Sequence, residues 1–129
     1  MQQLYGNGIF LTEKILDLLW IRQNLTMNNI ANVDTPGFKS QYMTFEEELA
    51  ARISQADSGE KAGLAVSDAI GRTRGVIHTT QNESSRLDGN NVDMDQEQVE
   101  LVRTAYEYQY MVNSISSELN RLQNAAKTF

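Results

Sequence analysis

Residues 101–126, LVRTAYEYQYMVNSISSELNRLQNAA, decide the fold. Leu101, Ala105, Tyr108, Val112, Ile115, Leu119, Leu122 and Ala126 recur at spacings of four and three, the a/d seam of a helix that pairs with another. Asn, Gln, Glu, Ser and Arg fill most positions between them. Upstream, Asp95 followed by Gln98 has the form of a capping box, and the acidic first turn suits the positive end of a helix dipole. A helix from Asp95 to Ala126 is about 48 Å long at ~1.5 Å per residue. That is a rod-shaped element in a chain of only 129 residues.

Glycine and proline divide the rest. Neither occurs between Ile9 and Thr35, nor after Gly89, and five of the eight glycines fall between 59 and 89. The pattern predicts a mainly α chain in three stretches. Residues 1–33 hold an N-terminal helix, 34–91 a turn, a short helix and an irregular, partly β or disordered middle, and 92–129 the heptad helix. The two long helices are expected to pair as an antiparallel coiled coil within one structural unit. On the N-terminal helix, Leu11, Ile15, Leu18 and Leu25 make the matching seam, with Arg22 and Asn29 at the intervening heptad positions. Leu19, Ile21 and Ile30 widen the apolar face, so it should contact more than one helix.

Asp34-Thr35-Pro36-Gly37 ends the first helix. Pro36 sets φ for the first central position of a type II turn, and Gly37 accepts the positive φ of the second. Residues 45–54 form a short helix capped by Thr44, with Glu46, Glu47 and Glu48 in its first turn. From Gln55 to Asn91 periodicity is poor, and Val76–Thr80 is a candidate strand.

Composition narrows function. Seventeen acidic against eleven basic residues give a net charge of −6, which disfavours nucleic acid as a partner. The absence of cysteine excludes disulfides, thiolate metal sites and cysteine nucleophiles. No run approaches the ~20 apolar residues of a membrane span. The first residues lack the basic and apolar regions of a cleaved secretion signal, so export, if any, is expected by another route. His78 is the lone histidine, without nearby partners for a triad or a metal. Asp88, Asn90, Asp93, Asp95 and Glu97 do not have the spacing of a calcium loop and are read as turn and cap residues. No enzyme, cofactor, metal or small-molecule substrate is expected.

Two segments carry a family resemblance. Residues 28–39, NNIANVDTPGFK, resemble the signature of the flagellar rod and hook proteins, in which an Asn-rich helix end runs into a Thr-x-Gly-aromatic-basic turn. Residues 90–97, NNVDMDQE, resemble the opening of that family's long C-terminal helix, followed by a Tyr-rich stretch, here Tyr106, Tyr108 and Tyr110. The Phe45-Glu46-Glu47 run and the short length are most similar to the proximal rod proteins of the flagellar basal body. On these segments the family motif comprises Asn28, Asn29, Asn32, Asp34, Thr35, Pro36, Gly37, Phe38, Asn91, Val92 and Asp93. The asparagine amides can fix register against a neighbour without adding charge, and Phe38 and Tyr42 are expected anchors.

The resemblance implies a structural subunit that assembles through its terminal helices into a hollow drive shaft in the periplasm. It implies export by the flagellar type III apparatus without a cleaved signal, and terminal helices that order on assembly. Implied partners are its own copies, a FlgC-like rod subunit, the adaptor FliE and the export gate, for which Phe45 and Leu49 are the expected contact. A FlgC-like rod protein, or a cytosolic coiled-coil adaptor or export chaperone, is the alternative.

Overall fold

The computed structural model describes residues 2–57, 62–82, 84 and 86–127, with side chains from Gly6. The ends and part of the middle of the expected stretches 1–33, 34–91 and 92–129 lie outside the described residues.

The fold is mainly α, with two long helices and a small sheet. Helix α1 spans Gln2–Ala31 and leaves helical geometry at Gly6 (φ 68°, ψ 169°), a conformation open only to a residue without Cβ. Strand β1 is Gln41–Thr44, α2 is Glu46–Ala56, α3 is Ala62–Arg72, β2 is Val76–Thr79 and α4 is Met94–Lys127. At 34 residues α4 is about 51 Å long. The end of α1 meets the start of α4 at Asn29 and Glu97, while Tyr108 and Met111 pack on Leu18 and Leu19 in mid-helix. The two helices therefore run antiparallel, as expected.

Leu18 and Leu19 of α1, Met43 of β1 and Phe45 form the buried cluster, ringed by Ile15, Leu25, Tyr108 and Met111. A second contact joins α3 to the first half of α1. Ile70 is fully buried there, and Lys14 and Asn7 donate to the carbonyls of Gly71 and Gly63. Strands β1 and β2 pair antiparallel, Tyr42 opposite His78 and Met43 opposite Ile77. Between them α2 and α3 form the connection.

Several expectations are corrected. The stretch expected to be irregular after Gln55 contains an eleven-residue helix, α3, whose short length and two glycines concealed it. Strand β1 was not foreseen, because four residues acquire strand geometry only from a partner more than thirty positions away. Thr44 does not cap α2. It belongs to β1, its hydroxyl is 2.8 Å from His78 Nε2, and Phe45 takes the cap position. Asp95 does not cap α4. Asp93 does so, its Oδ1 accepting from the backbone N–H groups of Asp95 and Gln96 at 3.1 and 3.3 Å. Along the first half of α4 the contact line runs through Leu101, fully buried Thr104, Tyr108 and Met111, and Ala105 is exposed.

Candidate functional site

Two features stand out on this scaffold: a polar clasp that locks the turn to both long helices, and apolar surface that the single chain leaves uncovered.

The turn at 35–38 has the expected geometry. Thr35 C=O accepts from Phe38 N–H at 3.2 Å, and Gly37 has φ 74°. Three asparagines then bind backbone as a strand would. Asn29 Oδ1 accepts from Gln41 N–H at 2.9 Å, and its Nδ2 donates to Gln41 C=O at 2.8 Å and to Glu97 Oε2 at 3.1 Å. Asn90, fully buried, donates from Nδ2 to the carbonyls of Asn32 and Thr35, both at 2.8 Å. Its Oδ1 accepts from Val92 N–H at 2.8 Å. Asn91 accepts from Ser40 N–H at 2.8 Å and donates to Thr80 C=O at 2.9 Å. An amide both donates and accepts, so each side chain replaces two missing ladder partners. Lys39 Nζ donates to Gly89 C=O, and Arg86 donates to Val33 C=O, each at 2.6 Å.

Arg22 extends the clasp along β1. It donates to Met43 C=O at 2.9 Å, forms a two-pronged pair with Glu46 at 2.6 and 2.9 Å, and lies 4.5 Å over the Phe45 ring. Those bonds hold the Glu46 carboxyl down at about 2. Burial pushes the Glu97 carboxyl up, and the Asn29 bond only partly offsets it. Among the described residues no buried side-chain N or O lacks a partner.

The family-motif residues divide on this map. Asn29, Asn32, Thr35, Gly37, Phe38, Asn91 and Asp93 take part in the bonds just given or flank them, and Val92 is buried beside them. Asn28 accepts from Asn32, Asp34 reaches Arg86 at 3.8 Å, and Pro36 is exposed. Tyr42 is half exposed and stacks on His78 with ring centres 4.9 Å apart. Arg22, Arg86 and Asn90 were not singled out as site residues. For Arg22 a signal existed, since a cation at a heptad core position needs a partner.

Of the seam residues, Leu18 is buried, while Leu11, Ile15, Leu25, Leu101, Tyr108, Val112, Ile115 and Leu122 are half-buried. Leu119 is 40% exposed. Phe45 and Leu49 are both buried. They form one wall of an apolar groove of about 600 Å³, with Ala50 and Ile53 beside them. Tyr106, Tyr110 and Met111 of α4 form the other wall, and Leu11, Ile15 and Leu19 of α1 the floor.

Further apolar surface lies off the seams, and on α4 it continues from the Tyr106 and Tyr110 wall of the groove. Val99, Val102, Tyr106 and Tyr110 recur at three and four residues along α4, and all are exposed, Tyr106 by 74%. Trp20 and Met27, seven apart on α1, are 59% and 53% exposed. Among the described residues no group of His, Cys, Asp and Glu could hold a metal, and no helix is long and apolar enough to cross a membrane.

The family described as "Flagella basal body rod protein" matches residues 17–39, the α1 arm of the clasp and its turn. Over 111 residues, 82% of each chain, the sequence is 34% identical to a protein of Aeromonas hydrophila. It is 30% identical over 119 residues to one of Borrelia hermsii (85% of this chain, 88% of the relative) and 29% identical over 120 residues to one of Bacillus subtilis (93% of each). The chain belongs to the family of flagellar basal body rod proteins. All three relatives are flagellar basal body rod proteins called FlgB.

Proposed function

We propose that the chain is a structural subunit of the proximal rod of the bacterial flagellum. It assembles through the outer faces of α1 and α4 into the hollow drive shaft. The observation that carries this is the exposed apolar surface that each long helix carries in addition to the residues that pair α1 with α4. Tyr106, Tyr110, Val99, Val102, Trp20 and Met27 together form more exposed apolar surface than a solitary chain needs. Helices from neighbouring subunits would cover it. Contacts between unlike surfaces that do not close generate a helical filament, the form a shaft requires.

The seam and motif residues act at different levels in this account. The clasp sets the angle at which the turn and small sheet leave the helix pair, so every copy presents the same outer faces. Leu11, Ile15, Leu18, Leu25 and the α4 seam hold the pair. Beyond its own copies, the partners proposed are a FlgC-like rod subunit, the adaptor FliE and the flagellar export gate. The chain would leave the cytoplasm through the type III apparatus without a cleaved signal and join the rod in the periplasm. Since Phe45 and Leu49 are buried in the folded chain, a gate contact through them belongs to the chain before it folds.

The test is location. A tagged chain should copurify with basal bodies extracted from motile cells. Recovery only as a soluble cytoplasmic protein would favour the adaptor or chaperone reading instead.

A further inference from the structure

We infer that the groove between α2 and α4 receives the last turns of α4, Leu119–Lys127, from a second copy of the chain. The inference rests on the subunit reading above and specifies one of its contacts.

Those turns are only partly covered: Leu122 is half-buried, and Arg121 and residues 123–127 are exposed. Asn29 lies at Glu97, and Leu18 beside Tyr108 and Met111. Leu119 therefore comes level with the start of the straight part of α1, just after the break at Gly6. It sits on the seam face of α4, yet 40% of it is exposed. Leu119, Leu122 and Ala126 continue that face at spacings of three and four.

The groove matches this segment in length and chemistry. Its α2 wall, Phe45 to Ile53, is about 13 Å long, and Leu119 to Ala126 spans about 12 Å on the same helical rise. The lining is largely apolar; its two carboxylates, Glu46 and Glu107, pair with Arg22 and Arg103, and Glu47 of α2 is exposed beside them. In a chain of net charge −6, residues 119–127 contain Arg121 and Lys127 and no acidic residue. Arg121 pairs with Glu118 of its own turn, so the charge match rests on Lys127 at the end of the leucine-bearing helix and Glu47 beside the apolar slot. A copy cannot fill its own groove, because Ala126 lies fifteen residues, about 22 Å, past Met111 on the same helix. Tail and groove are different surfaces, so the contact can repeat from copy to copy rather than pair two copies off.

The natural absence of cysteine makes the test direct. The full chain carrying Ala50→Cys and Ala126→Cys is assembled and mildly oxidised. Both alanines are exposed, and a disulfide needs Cα atoms within about 7 Å, which no single copy can provide. The expected result is a ladder of linked chains. A mixture of the two single variants should give only heterodimers, and neither single variant alone should link. Lys127→Glu should lower the yield several-fold, and adding Glu47→Lys should restore it. Assembly without linkage, or dimers from Ala50→Cys alone, would overturn the inference and leave the subunit reading standing. A chain that stays monomeric at every concentration would overturn both.

Discussion

Asn29 takes the place of a missing strand beside Gln41. Its amide oxygen and nitrogen engage the N–H and C=O of that one residue at 2.9 and 2.8 Å. Arg22 donates to Met43 C=O about two turns earlier on α1. Side chains of a helix thus cover much of the free edge of β1. Among the described residues, β2 alone pairs with it as a strand.

Removing that amide should be costly. Asn29→Ala leaves the Gln41 groups without partners and should destabilise the folded chain by about 2–3 kcal/mol. Asn29→Asp should cost more, because it sets a carboxylate against Gln41 C=O and Glu97. Urea unfolding of the full chain measures both. An Asp variant as stable as the parent would contradict the role given to the amide.

Two glycines separate backbone strain from crowding. Gly37 and Gly75 have φ of 74° and 73°. A Cβ on Gly37 would meet nothing within 4 Å, whereas one on Gly75 would lie 3.0 Å from Met43 Sδ and 3.3 Å from Thr44 C=O. Gly37→Ala should therefore cost about 1 kcal/mol, the left-handed penalty alone. Gly75→Ala should cost visibly more and disturb the β1–β2 pair. Equal unfolding midpoints for the two variants would sink this distinction.

The two shifted carboxyls should act in opposite directions with pH. Glu46 is held at about 2 in the fold, chiefly by Arg22, against an ordinary value of 4.5. Its contribution is complete above 4.5 and is lost as pH falls towards 2. Glu97 is raised by burial, with Glu100 and Asp93 adding repulsion. Ionising it therefore removes stability as pH rises through and above the ordinary carboxylate range. Glu46→Gln should be destabilising at pH 7, with the deficit shrinking below pH 4.5. Glu97→Gln keeps an acceptor for Asn29 and should be stabilising at pH 7, with the gain vanishing in acid. Unfolding midpoints measured across pH decide, and parallel curves for parent and variants would contradict the assignment.

What the sequence makes legible is local or periodic. The helix pair follows from heptads, and the turn from Pro36 and Gly37, since each signal lies within a few residues. Arg22 and Asn29 are visible as polar residues in apolar heptad positions, but their partners are not. Gln41, Met43 and Glu46 come into reach only after the turn folds back. For the same reason Asn29 and Asn32, read as register groups facing a neighbour, bond within their own chain. Helix α3 escapes notice because it is short and holds Gly63 and Gly71, which read as breaks in a helix. The Asp93 cap was displaced by two residues because Asp95 presents the same chemistry in the same acidic run.

The central claim is that neighbouring subunits cover the outer faces of α1 and α4. Incorporation of a Trp20→Glu, Val102→Glu double variant into basal bodies tests it most directly. Both side chains are exposed, so the variant should keep the circular dichroism of the parent chain, yet be absent from purified basal bodies and leave cells non-motile. A folded variant that enters basal bodies at parental levels and supports motility would contradict the account.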